Sequence, residues 1–170
     1  LAAGDSKRMK SKQSKVLHKI AGRSVIENLL ASVNPLSPKN LTVVVGANKD
    51  EVIQHLAKIA PEAKTVFQEK RDGTGGATQL ALAEHKGDGI VLILAGDTPL
   101  LTNQTLSEFI QVHNDGKNIA SVLTALQPDP TGYGRVIRSE DDQILKIVEE
   151  KDATEEEKEI DEINTGVYLF

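Results

Sequence analysis

The chain has 170 residues, with 20 Lys and Arg against 25 Asp and Glu for a net charge of −5, and only three Phe, two Tyr and no Trp. That length suits one domain, with a core built from Ile, Val, Leu and Ala. Cysteine is absent, which excludes disulfides and Cys-based zinc sites and suits a reducing cytoplasm. No apolar run approaches the roughly 18 residues of a membrane span, and nothing at the start reads as a signal peptide. The acidic balance argues against nonspecific nucleic-acid binding. Residues 7–23, however, carry Lys7, Arg8, Lys10, Lys12, Lys15, Lys19 and Arg23 with no acid among them. A basic segment on an acidic chain suits a small anionic ligand. The expectation is therefore a cytoplasmic protein without a membrane or nucleic-acid partner.

Helices and strands are predicted to alternate. Ser24 with Glu27 is a capping-box pattern, and Val25, Ile26, Leu29, Leu30 and Val33 then repeat at helical spacing until Pro35. Residues 41–46 are a β-branched run of the kind that is buried on both faces of a sheet. Asn48 with Glu51 opens a second helix that ends before Pro61, and residues 65–67 form a short strand. Residues 75–85 read as helix, closed near Gly87. Residues 89–95 form the most apolar segment and are expected to be the central strand, and residues 102–113 are helix with Leu106, Phe109 and Ile110 inward. After residue 118 the pattern changes to strands at 119–126, 134–138 and 143–148, separated by turns. The acidic stretch 155–162 reads as a solvated helix, and residues 165–170 read as a strand. The fold expected is α/β, a Rossmann-like mixed and mostly parallel sheet with antiparallel additions.

Four constellations fall where strands meet loops, the place where open α/β sheets bind ligands. Leu1-Ala-Ala-Gly4, followed by Arg8 and Lys15, offers a glycine that admits phosphate oxygens to backbone N–H groups, with cations nearby. An ordinary turn with surface basic residues fits the same pattern. Asp97, directly after the longest apolar strand, can hold Mg²⁺ against phosphates. It could instead form a turn beside Pro99, although Thr102 and Asn103 already offer caps for the next helix. Gln68 followed by Asp72-Gly-Thr-Gly-Gly76 is a Gly-rich turn opening a helix, suited to an anion or a base and equally to a flexible turn. Thr131-Gly-Tyr-Gly-Arg135, Glu149 and Asn164 together offer acceptors and donors for sugar hydroxyls, with Gly134 leaving room for a ring. Structural turns explain those glycines as well.

In this order the four are more specific than any one of them. Leu1 to Gly4, Arg8-Met9, Lys15 to His18, Gln68, Gly73-Thr-Gly75 and Gly96-Asp97 follow a pattern that continues through Asp129 to Arg135, Ile147-Val-Glu149, Lys151 to Thr154 and Glu162 to Gly166. The whole chain resembles the pyrophosphorylase domain of the bacterial bifunctional N-acetylglucosamine-1-phosphate uridyltransferases. Their thymidylyltransferase and molybdenum-cofactor relatives share mainly the first loop and the Asp.

The resemblance implies transfer of uridylyl from UTP to N-acetylglucosamine 1-phosphate, giving pyrophosphate and the cell-wall precursor UDP-N-acetylglucosamine. It implies that Leu1, Ala2 and Gly4 line the uridine pocket, with Gln68 and Gly73 on the uracil edge and Thr74 nearby. Arg8 and Lys15 would grip the phosphates, and Asp97 would hold Mg²⁺. Gly134, Glu149 and Asn164 would contact the amino sugar, while His18 would pack or cap. It further implies that residues 1–170 are one nucleotidyltransferase domain, cut at both ends. A second Mg²⁺ ligand and an acetyltransferase domain, through which the full protein forms a homotrimer, would lie beyond it. Departures stand at Ser6 and Lys7 (usually Gly and a small hydroxyl residue), Ser14 (usually Pro), and Asp72 and Gly76 (usually Leu and His). A related enzyme with a different base or sugar, and a non-catalytic nucleotide-sugar sensor, remain as alternatives.

Overall fold

Short apolar runs alternate with amphipathic ones, and the chain folds accordingly into two units. The computed structural model describes residues 1–4, 11, 13–70, 72–85 and 88–170. One unit comprises Leu1–Gly89 and Leu94–Val112, and the other comprises Ile90–Ile93 and His113–Phe170.

In the first unit the hairpin β1 (Lys19–Ile20) and β2 (Arg23–Ser24) leads into α1 (Val25–Val33). The predicted capping box forms there: Glu27 N–H donates to Ser24 Oγ at 3.1 Å, and the Glu27 carboxylate accepts from Ser24 N–H. A parallel ladder joins β3 (Thr42–Val45) to β4 (Lys64–Phe67), with α2 (Lys49–Ile59) as the crossover between them. Ala2 extends this sheet. It bridges Val45 in parallel, and its N–H donates to Val44 O at 2.7 Å. Leu1 N in turn donates to Leu94 O at 2.6 Å, and Gly96 N–H donates to Leu1 O at 2.7 Å. The order is therefore β4, β3, residues 1–2, then residues 94–96. The core between this sheet and its helices includes Ala2, Val16, Ile26, Val43, Val45 and Leu56, and each large aliphatic buried there contributes about 1.5–3 kcal/mol. Two further helices are α3 (Gly73–Ala83) and α4 (Asn103–Asp115), the last three residues of α4 being assigned to the second unit, and Leu106 and Phe109 are buried as expected. Thr102 caps α4, its Oγ1 accepting from Thr105 N–H at 3.1 Å.

The second unit is antiparallel. Its strands are β5 (Leu92–Ile93), β6 (Ser121–Leu126), β7 (Arg135–Arg138), β8 (Ile144–Val148) and β9 (Glu162–Leu169), with the short helix α5 (Glu155–Lys158) before the last. One edge of β9 takes β6 along its length. The other edge is shared by β5 at Tyr168 and Leu169 and by β7 at Ile163, and β8 pairs with β7. The architecture is the expected mixed α/β one, with the parallel β3–β4 ladder and its Ala2 extension in the first unit and the long antiparallel ladders in the second.

Three expectations need correction. Residues 89–95 contribute only two ladder residues as β5, and these pair antiparallel with β9. The acidic stretch forms only four helical residues, and Glu162 enters β9 opposite Leu126, with its carboxylate held by Arg138 through two bonds of 2.7 Å. The helix expected from Gly75 starts at Gly73. No helix among the described residues is long and apolar enough to cross a membrane.

Candidate functional site

In the first unit the parallel order brings the carboxyl ends of residues 1–2, β3, β4 and residues 94–96 to one edge of the sheet. The residues that follow those ends are Gly4, Gly46, Gln68 and Asp97. This is where such sheets hold ligands.

Lys15 reaches that edge from a single 3-10 turn, Lys15–Leu17, whose Val16 and Leu17 are buried in the core. Ser14 N–H donates to Glu51 Oε1 at 2.6 Å, tying the start of the turn to α2. Lys15 Nζ lies 2.5 Å from Asp97 Oδ2. A Cβ on Gly4 would meet Lys15 Cε and Nζ at 3.0 Å, so the glycine is what lets the ammonium lie against the loop backbone. The two side chains are 25% and 43% exposed. A pair this open contributes only about 0–1 kcal/mol to stability. A phosphate can therefore take over the ammonium, and a cation the carboxylate, at small cost.

Among the described residues no three acids or histidines converge on a metal position. One half-exposed carboxylate still fits Mg²⁺, which is commonly held by one or two carboxylates plus substrate phosphates. A small cavity of about 30 Å³ lies against Ala2, Ala3, Gly4, Ser14, Gly46 and Asn48. A cavity of about 320 Å³ opens at the opposite ends of β3 and β4, against Pro38, Leu41, Glu62, Lys64 and His85, and none of the residues proposed from sequence lines it.

Gln68 follows β4, with its N–H on Val45 O at 2.9 Å and its side chain buried. Its amide Nε2 donates to Gly73 O at 3.1 Å and to Asp72 Oδ1 at 2.7 Å. Gln68 and Gly73 are thus brought together as expected, while Thr74 sits exposed in the first turn of α3. Arg8, assigned from sequence to the phosphates, lies outside the described residues, as do the departures Ser6 and Lys7.

The second unit assembles the other set. Asn164 N–H donates to Gly134 O at 2.8 Å. A Cβ on Gly134 would meet Glu149 Oε1 at 3.3 Å and Asn164 Cβ at 3.6 Å. Gly134, Glu149 and Asn164, thirty residues apart at the extremes, therefore surround one point. Arg135 braces the loop before it: its buried guanidinium pairs with Glu150 Oε2 at 2.8 Å and bonds to Tyr133 O, and Glu150 also accepts from Gly132 N–H at 3.2 Å. The Arg135 hydrogen bond is the main reason the Glu150 carboxyl is held below its usual pKa.

Tyr168 was not singled out from sequence, yet it sets the orientation of Asn164. Its OH donates to Asn164 Oδ1 at 2.9 Å, and Gly166 N–H donates to the same oxygen at 3.0 Å. The Asn164 amide nitrogen is left as a donor for a ligand. Burial, with a smaller contribution from Glu149, raises the Tyr168 pKa, so the hydroxyl keeps its proton at neutral pH. Glu149 then supplies acceptors and Asn164 a donor, a combination suited to hydroxyl and amide groups. On the substrates that the sequence resemblance implies, Tyr168→Phe should raise the KM for the sugar phosphate by about 3–10-fold, the scale of one neutral hydrogen bond, with UTP affinity unchanged in a binding titration made without sugar.

Comparisons with known proteins place the chain in a family. Residues 1–158 match the MobA-like NTP transferase domain. The bifunctional protein GlmU of Streptomyces coelicolor is 46% identical over 173 residues, and that of Streptococcus pyogenes serotype M18 is 44% identical over 171. Each alignment takes in 100% of this chain and 36% of the relative's length. The crystal structure of HddC from Yersinia pseudotuberculosis, complexed with GMP-PN, superposes with a TM-score of 0.75 at 19% identity, covering 99% of this chain and 73% of that one. Because that family model spans residues 1–158, the chain belongs to the MobA-like NTP transferase domain family.

Proposed function

We propose that the chain catalyses uridylyl transfer from UTP to N-acetylglucosamine 1-phosphate, giving UDP-N-acetylglucosamine and pyrophosphate. The observation that carries this reading is the Lys15–Asp97 pair beside Gly4 at the ligand edge of the sheet. The substrates come from the motif resemblance, strengthened by 46% identity to a GlmU protein. Because the chain spans 36% of that relative's length, the same reading makes it the pyrophosphorylase domain of a longer cytoplasmic protein. An acetyltransferase domain outside the chain would assemble that protein as a homotrimer.

A sugar-phosphate oxygen attacks the α-phosphorus in line, forming the new O–P bond as the bond to pyrophosphate breaks. A phosphate monoester has its second pKa near about 6, so the nucleophile is anionic at neutral pH and needs no general base. The residues work by alignment and charge neutralisation. Gln68 and Gly73 hold the base beside Thr74, and Leu1, Ala2 and Gly4 line the nucleoside pocket. Lys15, with Arg8, meets the negative charge of the departing pyrophosphate. Asp97 would hold Mg²⁺, which when bound supplies further neutralisation of the phosphates. Gly134, Glu149 and Asn164 receive the amino sugar.

Lys15→Ala should lower kcat by about 10²-fold, the scale of one lost transition-state contact, with a smaller change in UTP affinity. Steady-state rates beside a UTP titration check this, and a change confined to KM would reduce Lys15 to ground-state binding. The reading as a whole is tested by assaying nucleotide-sugar formation over a panel of nucleoside triphosphates and sugar 1-phosphates. The expected best pair is UTP with N-acetylglucosamine 1-phosphate. A clear preference for another base or sugar would mark a sister enzyme, and binding without turnover would mark a sensor.

A further inference from the structure

We propose that Glu51 is a positioning residue for Lys15: its carboxylate holds the backbone N–H of Ser14 and so fixes the turn that carries the ammonium. This rests on the reading above, in which Lys15 meets the phosphates. Ser14 N–H donates to Glu51 Oε1 at 2.6 Å across 37 residues of sequence. A hydrogen bond to a charged acceptor is roughly twice as strong as a neutral one. Ser14 O accepts from Leu17 N–H at 3.0 Å. The residue before Lys15 is thus held at both of its backbone polar groups.

Glu51 is the third residue of α2, the position that Glu27 holds in α1. Glu27 turns its carboxylate back to the N–H of its own cap residue, Ser24. Glu51 gives Oε1 to Ser14 on a different element, and the Asn48 side chain makes no capping bond. Val52, next to Glu51, lies in one buried core with Val16 and Leu17, which follow Lys15. That packing brings helix and turn together, but apolar contact is non-directional. The bond supplies the direction. It sets the angle at which the chain enters Lys15, and so where a long side chain ends at the sheet edge. A charged group misplaced by about 1 Å can cost about 10²-fold in rate.

A second device could hold the same turn. Ser14 stands at φ −57° and ψ 136°, and a Pro ring holds φ near about −65°. Pro, usual at this position in the domains that the sequence resembles, would impose the same φ and has no N–H to offer Glu51. Ring and bond are alternative constraints on one turn, and this chain uses the bond.

The test measures two quantities on the full chain: kcat for nucleotide-sugar formation, and affinity for pyrophosphate titrated with Mg²⁺ and no other substrate. Glu51→Ala should lower kcat by about tenfold and weaken pyrophosphate by at least about threefold, part of what a misplaced charge can cost. Glu51→Gln, which keeps an acceptor oxygen, should stay within about threefold of the unsubstituted chain in kcat. Ser14→Pro should replace the lost bond, so that adding Glu51→Ala to it changes kcat by less than about twofold. In a Lys15→Ala background Glu51→Ala should likewise cost less than about twofold, because both changes act through one ammonium. If Ser14→Pro does not fold, the Lys15 background and the Ala-against-Gln comparison decide. A merely structural role at the start of α2 would lower the thermal midpoint while leaving kcat and pyrophosphate affinity of the folded chain unchanged, and would overturn the proposal. So would a Glu51→Ala loss that persists in full in the Lys15→Ala chain. If Lys15→Ala lowers both quantities and Glu51→Ala neither, only the role of Glu51 falls. If Lys15→Ala leaves both unchanged, the phosphate reading of Lys15 falls and this inference with it.

Discussion

Asp97→Asn is expected to abolish metal-dependent turnover while leaving the fold intact. The substitution keeps the shape of the side chain and removes its charge. Asp97 follows Gly96, whose N–H is held by Leu1 O at 2.7 Å, so its place at the sheet edge is set by backbone bonds that the substitution leaves alone. The carboxylate is 43% exposed and its ion pair with Lys15 is an open one, so the stability lost is at most about 1 kcal/mol. The catalytic loss should be far larger, about 10²–10³-fold in kcat, because a preorganised charge contributes most where charge shifts in the transition state. Initial rates across a Mg²⁺ titration, with thermal unfolding alongside, measure both. Near-normal rates with unchanged Mg²⁺ dependence would remove Asp97 from the metal site.

Glu149→Ala is expected to cut activity on N-acetylglucosamine 1-phosphate by about 10–100-fold: Glu149 is exposed in the free chain, and the sugar group it would meet is left unpaired in the complex at about 1–3 kcal/mol. Its effect on UTP binding measured without sugar should be slight. Glu149 approaches Gly134 and Asn164 in the second unit, whereas Gln68, Lys15 and Asp97 all belong to the first. Equal losses in the two assays would point to a folding role for Glu149. No loss in either would make it a surface carboxylate at a strand end.

What could be read from the sequence was local. The Ser24 and Glu27 capping box formed as read because both partners lie within one helical turn. Asn48 and Glu51 show the same spacing, but the Glu51 carboxylate takes Ser14 N–H instead, and no local pattern announces a partner 37 residues away. The β1–β2 hairpin was missed because two strands of two residues carry no alternation, and its turn runs through Ala21 and Gly22 at positive φ. The same limit applies to the candidate site. Gly4, Lys15 and Asp97 stood out as motifs next to strands, and the structure brings them together. Asp72 stood out only as a departure from a familiar pattern, and Tyr168 did not stand out at all. Their bonds to Gln68 and Asn164 depend on how a turn and a strand bulge place side chains, which sequence spacing does not encode.

Nucleotidyl transfer itself is tested most directly by following labelled phosphorus. UTP labelled at the α-position, incubated with N-acetylglucosamine 1-phosphate and Mg²⁺, should pass its label into the nucleotide sugar. UTP labelled at the γ-position should release it as pyrophosphate, in equal amount. Release of γ-label as orthophosphate, with no α-label in a sugar product, would mean that the Lys15 and Asp97 edge hydrolyses or merely holds triphosphate, and would contradict uridylyl transfer.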